Sequence, residues 1–324
     1  MNLGITMGDS SGVGPELALK AFSRGLLPER SVVYGDLCAL DYCNRRLAYA
    51  VPLREARGPA DIRRDCLNVI DFGLLKPELM APGRISKESG EAAREYVVAA
   101  TEDALAQEIS AIVTLPMNKE ATRLTDPGFV GHTELIASLC GVKKVTMMLT
   151  LPDLATTYLS THVSLTEALQ QVRKEAIVDL IQLTATTLSR FLERVRIAVA
   201  GLNPHAGESG MFGREEIEEI RPAVEEARRR GIEVEGPFPP DTVFHMALRQ
   251  KRFDAVVCMY HDQGHIALKL FDFESGVNVT LGLPIIRTSV DHGTAFDIAY
   301  QGVASTGSFA AALRYAEKLA VGKG

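Results

Sequence analysis

The 324 residues exceed what one compact core usually fills and predict two domains, while 46% hydrophobic and 23% charged residues is the balance of a globular protein. A net charge of −6 and a pI near 5.7 exclude a basic nucleic-acid or anionic-membrane surface, so any anionic ligand must be met by local cations. No apolar run approaches the ~20 residues of a membrane span, the first residues lack the basic flank and apolar core of a signal peptide, and the five cysteines (Cys38, Cys43, Cys66, Cys140, Cys258) contain no Cys-x-x-Cys, so a cytoplasmic protein with reduced thiols is expected.

The chain opens with a predicted strand over 3–6, the loop Gly8-Asp9-Ser10-Ser11-Gly12-Val13-Gly14, and a helix begun by Pro15 with Gly25 beyond its end. Gly8, Gly12 and Gly14 fit neither Rossmann nor P-loop spacing, and the loop reads equally as a tight backbone turn or a phosphate cradle. A strand over 31–34 leads through Asp36, a predicted cap, into a helix over 37–47. A strand over 67–71, a helix over 87–107 with Ala92, Ala93, Tyr96, Val97, Ala100 and Ala104 on one side, and a buried-type strand over 109–115 complete an alternation that predicts a largely parallel α/β sheet.

Gly131-His132-Thr133-Glu134 opens a predicted helix over 135–140, where a hydroxyl, an imidazole and free N–H groups suit a phosphate oxygen; the plainer reading makes Thr133 an N-cap and His132 a surface residue. Strands over 145–151 and 155–161 precede His162, and Ser164 to Glu167 is a capping box opening one long helix over 165–191. A strand over 195–202 ends in Asn203-Pro204-His205, followed by a helix over 215–230 and another over 243–250, capped by Asp241 and carrying a surface His245.

The stretch 254–287 carries the densest chemistry. A buried-type strand over 254–260 turns abruptly polar at His261-Asp262-Gln263-Gly264-His265, and Lys269, Asn278 and Arg287 follow. One imidazole, one ammonium, one amide and one guanidinium suit an anionic, oxygen-rich small molecule. His162, His205 and His261 each follow a hydrophobic strand, and parallel strands bring their carboxyl ends together. Each is read either as a hydrogen-bonded loop residue or as one ligand of a His₃ site for a catalytic divalent metal, zinc above all.

Seven segments then carry a family resemblance: Gly131-His-Thr-Glu134, Thr161-His162, Asn203-Pro-His-Ala-Gly-Glu208, Gly236-Pro-Phe-Pro-Pro-Asp-Thr242, Tyr260-His-Asp-Gln-Gly264, Gly276-Val-Asn-Val-Thr-Leu-Gly-Leu-Pro284 and Arg287-Thr-Ser-Val-Asp-His-Gly293. Together they resemble the 4-hydroxythreonine-4-phosphate dehydrogenase family of pyridoxal phosphate synthesis. The resemblance implies an isocitrate/isopropylmalate dehydrogenase-like α/β fold, with two α/β domains flanking a cleft. We place the first at 1–128 with 270–324, and the second at 129–269, carrying the metal ligands and the dimer interface. It implies NAD or NADP, a divalent metal (zinc, with magnesium or cobalt as alternatives), a small phosphorylated hydroxy acid as substrate, and a homodimer with shared active sites. By position it assigns metal ligation to His162, His205 and His261, the last from the partner subunit. Substrate and phosphate contacts fall to His132, Thr133, Lys269, Asn278 and Arg287, and catalysis to Lys269, His261 and Asp262.

The implied reaction oxidises C3 of 4-phosphooxy-L-threonine and then decarboxylates the 3-oxo acid with metal assistance. Two departures, Met7-Gly8-Asp9 at the opening and His265-Ile-Ala-Leu-Lys269, resemble instead the catabolic branch that oxidises D-threonate or D-erythronate 4-phosphate, leaving open whether C2 carries an amino or a hydroxyl group. No acidic residue in a Rossmann context separates NAD from NADP, and the cofactor-binding residues stay unread. A phosphate-handling transferase or a non-catalytic metabolite-binding protein are the rival classes; neither needs three histidine ligands or a nicotinamide.

Overall fold

Short buried strands alternate with helices along most of the chain in the computed structural model, which describes residues 2–272 and 275–322. The remainder of the sequence-based domain ranges, at 1, 273–274 and 323–324, lies outside the described residues. The chain divides into two units, one formed by Met1–Val145 with Leu283–Val321 and the other by Thr146–Gly282. The sequence-based boundaries fall elsewhere: residues 129–145 pack with the first unit and 270–282 with the second.

In chain order the first unit supplies β1 (Leu3–Thr6), α1 (Gly14–Ser23), β2 (Ser31–Gly35), α2 (Leu37–Leu47), β3 (Leu53–Glu55), β4 (Leu67–Asp71), α3 (Lys87–Leu105), β5 (Ala111–Thr114), α4 (Lys119–Arg123) and α5 (His132–Leu139). The second unit follows with β6 (Thr146–Leu151), β7 (Leu154–Tyr158), α6 (Leu165–Gln170), α7 (Lys174–Leu188), β8 (Ile197–Ala200), α8 (Arg221–Arg229), β9 (Val234–Phe238), α9 (Pro240–Leu248), β10 (Ala255–Cys258), α10 (His261–Phe271) and β11 (Val277–Leu281). The chain then returns to the first unit with β12 (Arg287–Val290) and α11 (Gly307–Val321).

The first unit's strands run in the order β3-β4-β2-β1-β5-β12, every pair parallel. β1, β2, β5 and β12 are buried along their whole length, as strands covered on both faces must be. α3 lays its alanine-rich stripe against β1, β2 and β5, and Ser86 caps it by accepting from Ser89 N. The second unit runs β11-β6-β7-β10-β8-β9; β11–β6 and β6–β7 are antiparallel and the rest parallel.

Several local expectations change for reasons that lie in tertiary contacts. The helix expected over 165–191 is two helices, because Glu219 accepts from Lys174 N at 2.7 Å and starts α7 afresh. The helix expected over 215–230 begins with a π-type turn over Glu216–Ile220, and Pro222, which has no N–H to donate, falls at the start of α8. Asp36 flanks α2 without capping it; its carboxylate accepts from Leu75 N at 2.8 Å and Tyr96 OH at 2.6 Å. Asp241 lies inside the first turn of α9 instead of capping it.

The glycines of the first loop serve backbone contact. Gly8 has φ +72°, and a Cβ there would overlap the Pro116 carbonyl, while one at Gly14 would overlap the Met7 carbonyl. Beyond the loop Glu16, fully buried, accepts from Gly302 N (3.1 Å) and Ala304 N (2.9 Å), and Lys20 donates to the carbonyls of the same two residues.

Asp9, also fully buried, accepts from Ser11 N at 2.8 Å and from the Asn118 backbone, but its Oδ2 has no hydrogen-bond partner among the described residues. Burial pushes its pKa up from 3.8 to about 6, against the pull of those two N–H donors. The folded state therefore holds this proton more tightly than the unfolded chain does. Stability is greatest below the unfolded value, falls as pH rises towards 6, and is flat beyond, a loss of roughly 3 kcal/mol. Asp9→Asn, which keeps the acceptor for Ser11, should therefore gain about 2–3 kcal/mol in urea unfolding near neutral pH and almost nothing at about pH 4. An equal gain at both pH values would show that this carboxyl titrates at the same pH in the folded and the unfolded chain.

Candidate active site

In the first unit, Arg287 starts β12 in register with Ile112 of β5 and is 4% exposed. Its guanidinium donates to Thr114 Oγ1 at 2.8 Å and to Thr133 Oγ1 at 3.4 Å. Burial lowers its pKa to about 10, with Glu134 pulling the other way. His132 and Thr133 occupy the first turn of α5, where free backbone N–H groups and the helix dipole favour an anion. His132 Nε2 is buried without a hydrogen-bond partner among the described residues. Desolvation, then the charges of Arg287 and Lys119, hold the imidazole's pKa down at about 3, so the ring is neutral. His132 is half-buried, with its Nε2 edge withdrawn from solvent, and the N-cap position belongs to Gly131, not Thr133. A Cβ at Gly131 would lie 2.9 Å from Glu134 Oε2 and 3.6 Å from Lys119 Nζ, so both charges flank the turn. Arg287, Thr133 and His132 therefore form one cluster, and a desolvated cation among hydroxyls and a neutral imidazole can take an oxyanion.

In the second unit, β7, β10 and β8 are parallel neighbours, and His162, His261 and His205 follow them in that order. His261 is the first residue of α10 and not a loop residue. Its Nδ1 lies 2.7 Å from Asp262 Oδ1, and its ring centroid is 5.8 Å from that of His162. His205 stands apart, its Nδ1 3.1 Å from Glu208 Oε2 and its ring edge-on to Phe212. Among the described residues, no group of three or more His, Cys, Asp or Glu side chains is gathered to hold a metal ion. Within one chain, equivalent strand ends therefore do not by themselves gather the three imidazoles among the described residues.

The physical reason lies in the backbone at His205. Residues His205, Ala206, Gly207, Glu208 and Ser209 all have positive φ, a left-handed turn that carries the imidazole to Glu208. Glu216, 1% exposed, braces it by accepting from Leu202 N and Asn203 N, both at 2.7 Å, and from Asn203 Nδ2 at 2.9 Å. In chemistry the donors do fit a divalent metal: His205 and His261 each engage a carboxylate through Nδ1, which leaves Nε2 as the donor nitrogen.

Lys269 lies eight residues beyond His261 on α10, the same stripe of the helix, and is half-buried. Asn278, on β11 opposite Leu149, donates to Met147 Sδ at 3.0 Å. Sequence reasoning passed over Thr114, a strand hydroxyl with no local signal, and Gln263, which accepts from Met259 N and donates to Gly201 O, both at 2.7 Å, tying α10 to the end of β8.

Comparison with known proteins shows which proteins the chain resembles. The family described as pyridoxal phosphate biosynthetic protein PdxA matches residues 28–316. D-threonate 4-phosphate dehydrogenase of Cupriavidus necator is 44% identical over 98% of this chain and 97% of its own. 4-hydroxythreonine-4-phosphate dehydrogenase of Desulforapulum autotrophicum is 42% identical over 97% and 94%. The crystal structure of 4-hydroxythreonine-4-phosphate dehydrogenase from Klebsiella pneumoniae superposes with a TM-score of 0.90 at 41% identity, covering 98% of this chain and 99% of that one.

The neutral state of His132 has a measurable signature. Its folded pKa of about 3 lies below the ordinary 6.5, so the stability it contributes is complete above 6.5 and is lost as pH falls from there towards 3. In His132→Asn, stability should fall less between about pH 7.5 and pH 5 than in the wild type, measured by urea midpoints. Identical slopes would mean that the imidazole titrates near its ordinary value in the folded protein.

Proposed function

The chain belongs to the PdxA family, and from that premise we propose that it is an NAD(P)-dependent dehydrogenase acting at C3 of a four-carbon hydroxy acid phosphorylated at C4. The observation that carries the reading is the buried Arg287 guanidinium grouped with Thr133, Thr114 and the neutral His132 at the start of α5, a setting that suits a phosphate. D-threonate or D-erythronate 4-phosphate is the proposed substrate, supported by the name of the Cupriavidus relative and by the segments around Asp9 and His265. A second reading, 4-phosphooxy-L-threonine, is favoured by the name of the Desulforapulum relative.

In this scheme Arg287, Thr133 and His132 hold the phosphate, and Asn278 and Lys269 bind the hydroxy-acid end, so that remote binding positions C3 for hydride transfer to the nicotinamide. The C3 hydroxyl gives its proton to solvent while C3 gives its hydride to the nicotinamide; the C1–C2 bond of the 3-oxo acid then breaks, carbon dioxide leaves, and Lys269 returns a proton to C2. A divalent metal, when bound by His162, His205 and His261, supplies a Lewis acid for the C3 oxygen. Asp262 keeps the His261 ring in one tautomer through Nδ1. The active unit is a homodimer in which His261 of one chain completes the site of the other.

Nicotinamide absorbance at 340 nm should rise with D-threonate or D-erythronate 4-phosphate, or with 4-phosphooxy-L-threonine, and far less with the unphosphorylated acids. Arg287→Ala should lower kcat/KM at least about tenfold, the loss of a charge-assisted contact of ~1.5–3 kcal/mol. Equal kcat/KM with and without the phosphate would remove the reading. Shared sites are tested by mixing: chains carrying His261→Ala and His205→Ala, each inactive alone, should regain activity as a heterodimer with one intact site. Exchange that restores nothing would place the three histidines' work within a single subunit.

A further inference from the structure

His265 has no part in the scheme above, yet it is buried against the rings of His261 and Tyr158. It falls in the inward stripe of α10, with Gln263, Gly264 and Leu268, where an apolar side chain would carry no desolvation cost. Instead it is an imidazole, 6% exposed, lying flat on the ring of His261 with centroids 3.7 Å apart and planes 10° apart. Its Nδ1 is 3.2 Å from the His261 carbonyl, which accepts the Nδ1–H. One residue is thus gripped twice, through its backbone and across its ring. The ring of Tyr158 lies 4.7 Å from that of His265, and the Tyr158 hydroxyl is fixed at 2.5 Å from Thr156 Oγ1. Gly264 permits the stack: a Cβ there would lie 2.8 Å from Tyr158 Cε1 and 2.9 Å from Cys258 Sγ, forcing α10 off β7 and β10.

We propose that His265, with Tyr158 packed on it, is a positioning residue that fixes the ring plane of His261, keeping Nδ1 on Asp262 and leaving Nε2 set for a divalent cation. An aliphatic side chain would fill the volume but would leave the His261 ring free to rotate about its last torsion, which is broad for an imidazole. The inference rests on the metal role proposed for His261, and its test separates the two. The ring of His261 is followed directly in metal-free, full-length protein through its ¹⁵N-histidine resonances, and Zn²⁺ affinity is measured by competition with a chromogenic chelator.

His265→Leu removes the flat ring, and His265→Phe keeps it without the Nδ1–H. In the metal-free Leu variant the His261 nitrogens should move towards the tautomer average of a mobile imidazole, and Zn²⁺ should bind at least about tenfold more weakly. The Phe variant should stay within about threefold of wild type, which a requirement for the hydrogen bond alone would not allow. Leu matching wild type in both readouts, or Phe failing as badly as Leu, overturns the proposal. Wild type that binds no Zn²⁺ while His265→Leu still frees the His261 ring removes the metal role and leaves the positioning standing. Should the Leu variant fail to fold, the Phe comparison with wild type decides alone.

Discussion

Parallel pairing is the constraint from which both clusters descend. Antiparallel neighbours deliver their carboxyl ends to opposite edges, whereas parallel neighbours deliver them all to one, so whatever follows each strand collects there without further design. In the second unit this brings the segments after β7, β10 and β8 side by side, each carrying a histidine. In the first it brings the glycine loop after β1 against Pro116 after β5, where Asp9 N donates to the Pro116 carbonyl at 2.9 Å. Arg287 uses the same sheet differently. It stands at the beginning of β12, and only the length of its side chain carries the charge to Thr114, the last residue of β5.

What the sequence disclosed follows from this. Strands such as 255–258 and 111–114 are apolar runs bounded by polar turns, and a residue type that stands after several of them is visible without coordinates. β12 escaped because Arg287, Thr288 and Ser289 look like a loop; they are buried through their backbone pairing with β5, which no local pattern encodes. The break between α6 and α7 escaped for a similar reason, since the carboxylate that makes it arrives from Glu219, 45 residues away. His265 stood out only as part of a departure from the family pattern, and only the i, i+4 geometry of a helix that sequence had not extended over 261–271 turns it into a stack.

The turn at His205–Ser209 departs furthest from local preference. For a residue with a Cβ each left-handed position costs about 1–2 kcal/mol, and four of these five residues have one. Glu216 offsets that cost by binding the backbone where the turn begins, and it belongs to the π-type turn that interrupts α8's regular start. Two irregularities, each unfavourable alone, therefore depend on one buried carboxylate, and together they set where His205 can stand. Sequence reasoning sees neither, because the Glu216 contacts that join them cross 13 and 14 residues of irregular chain.

The first unit's sheet is not contiguous in the chain, and that has a consequence for the protein's birth. The ribosome completes β1 to β5 and α1 to α5, then the whole of 146–282, before it makes β12 and α11. During that interval β5 presents an open hydrogen-bonding edge to solvent, and the faces that α11 later covers are bare, the condition under which nascent chains aggregate or recruit chaperones. The second unit has no such wait, since all its strands are consecutive. Arg287 is thus made after His162, His205, His261 and Lys269, and a chain terminated before β12 carries those residues but lacks the guanidinium that donates to Thr114 and Thr133.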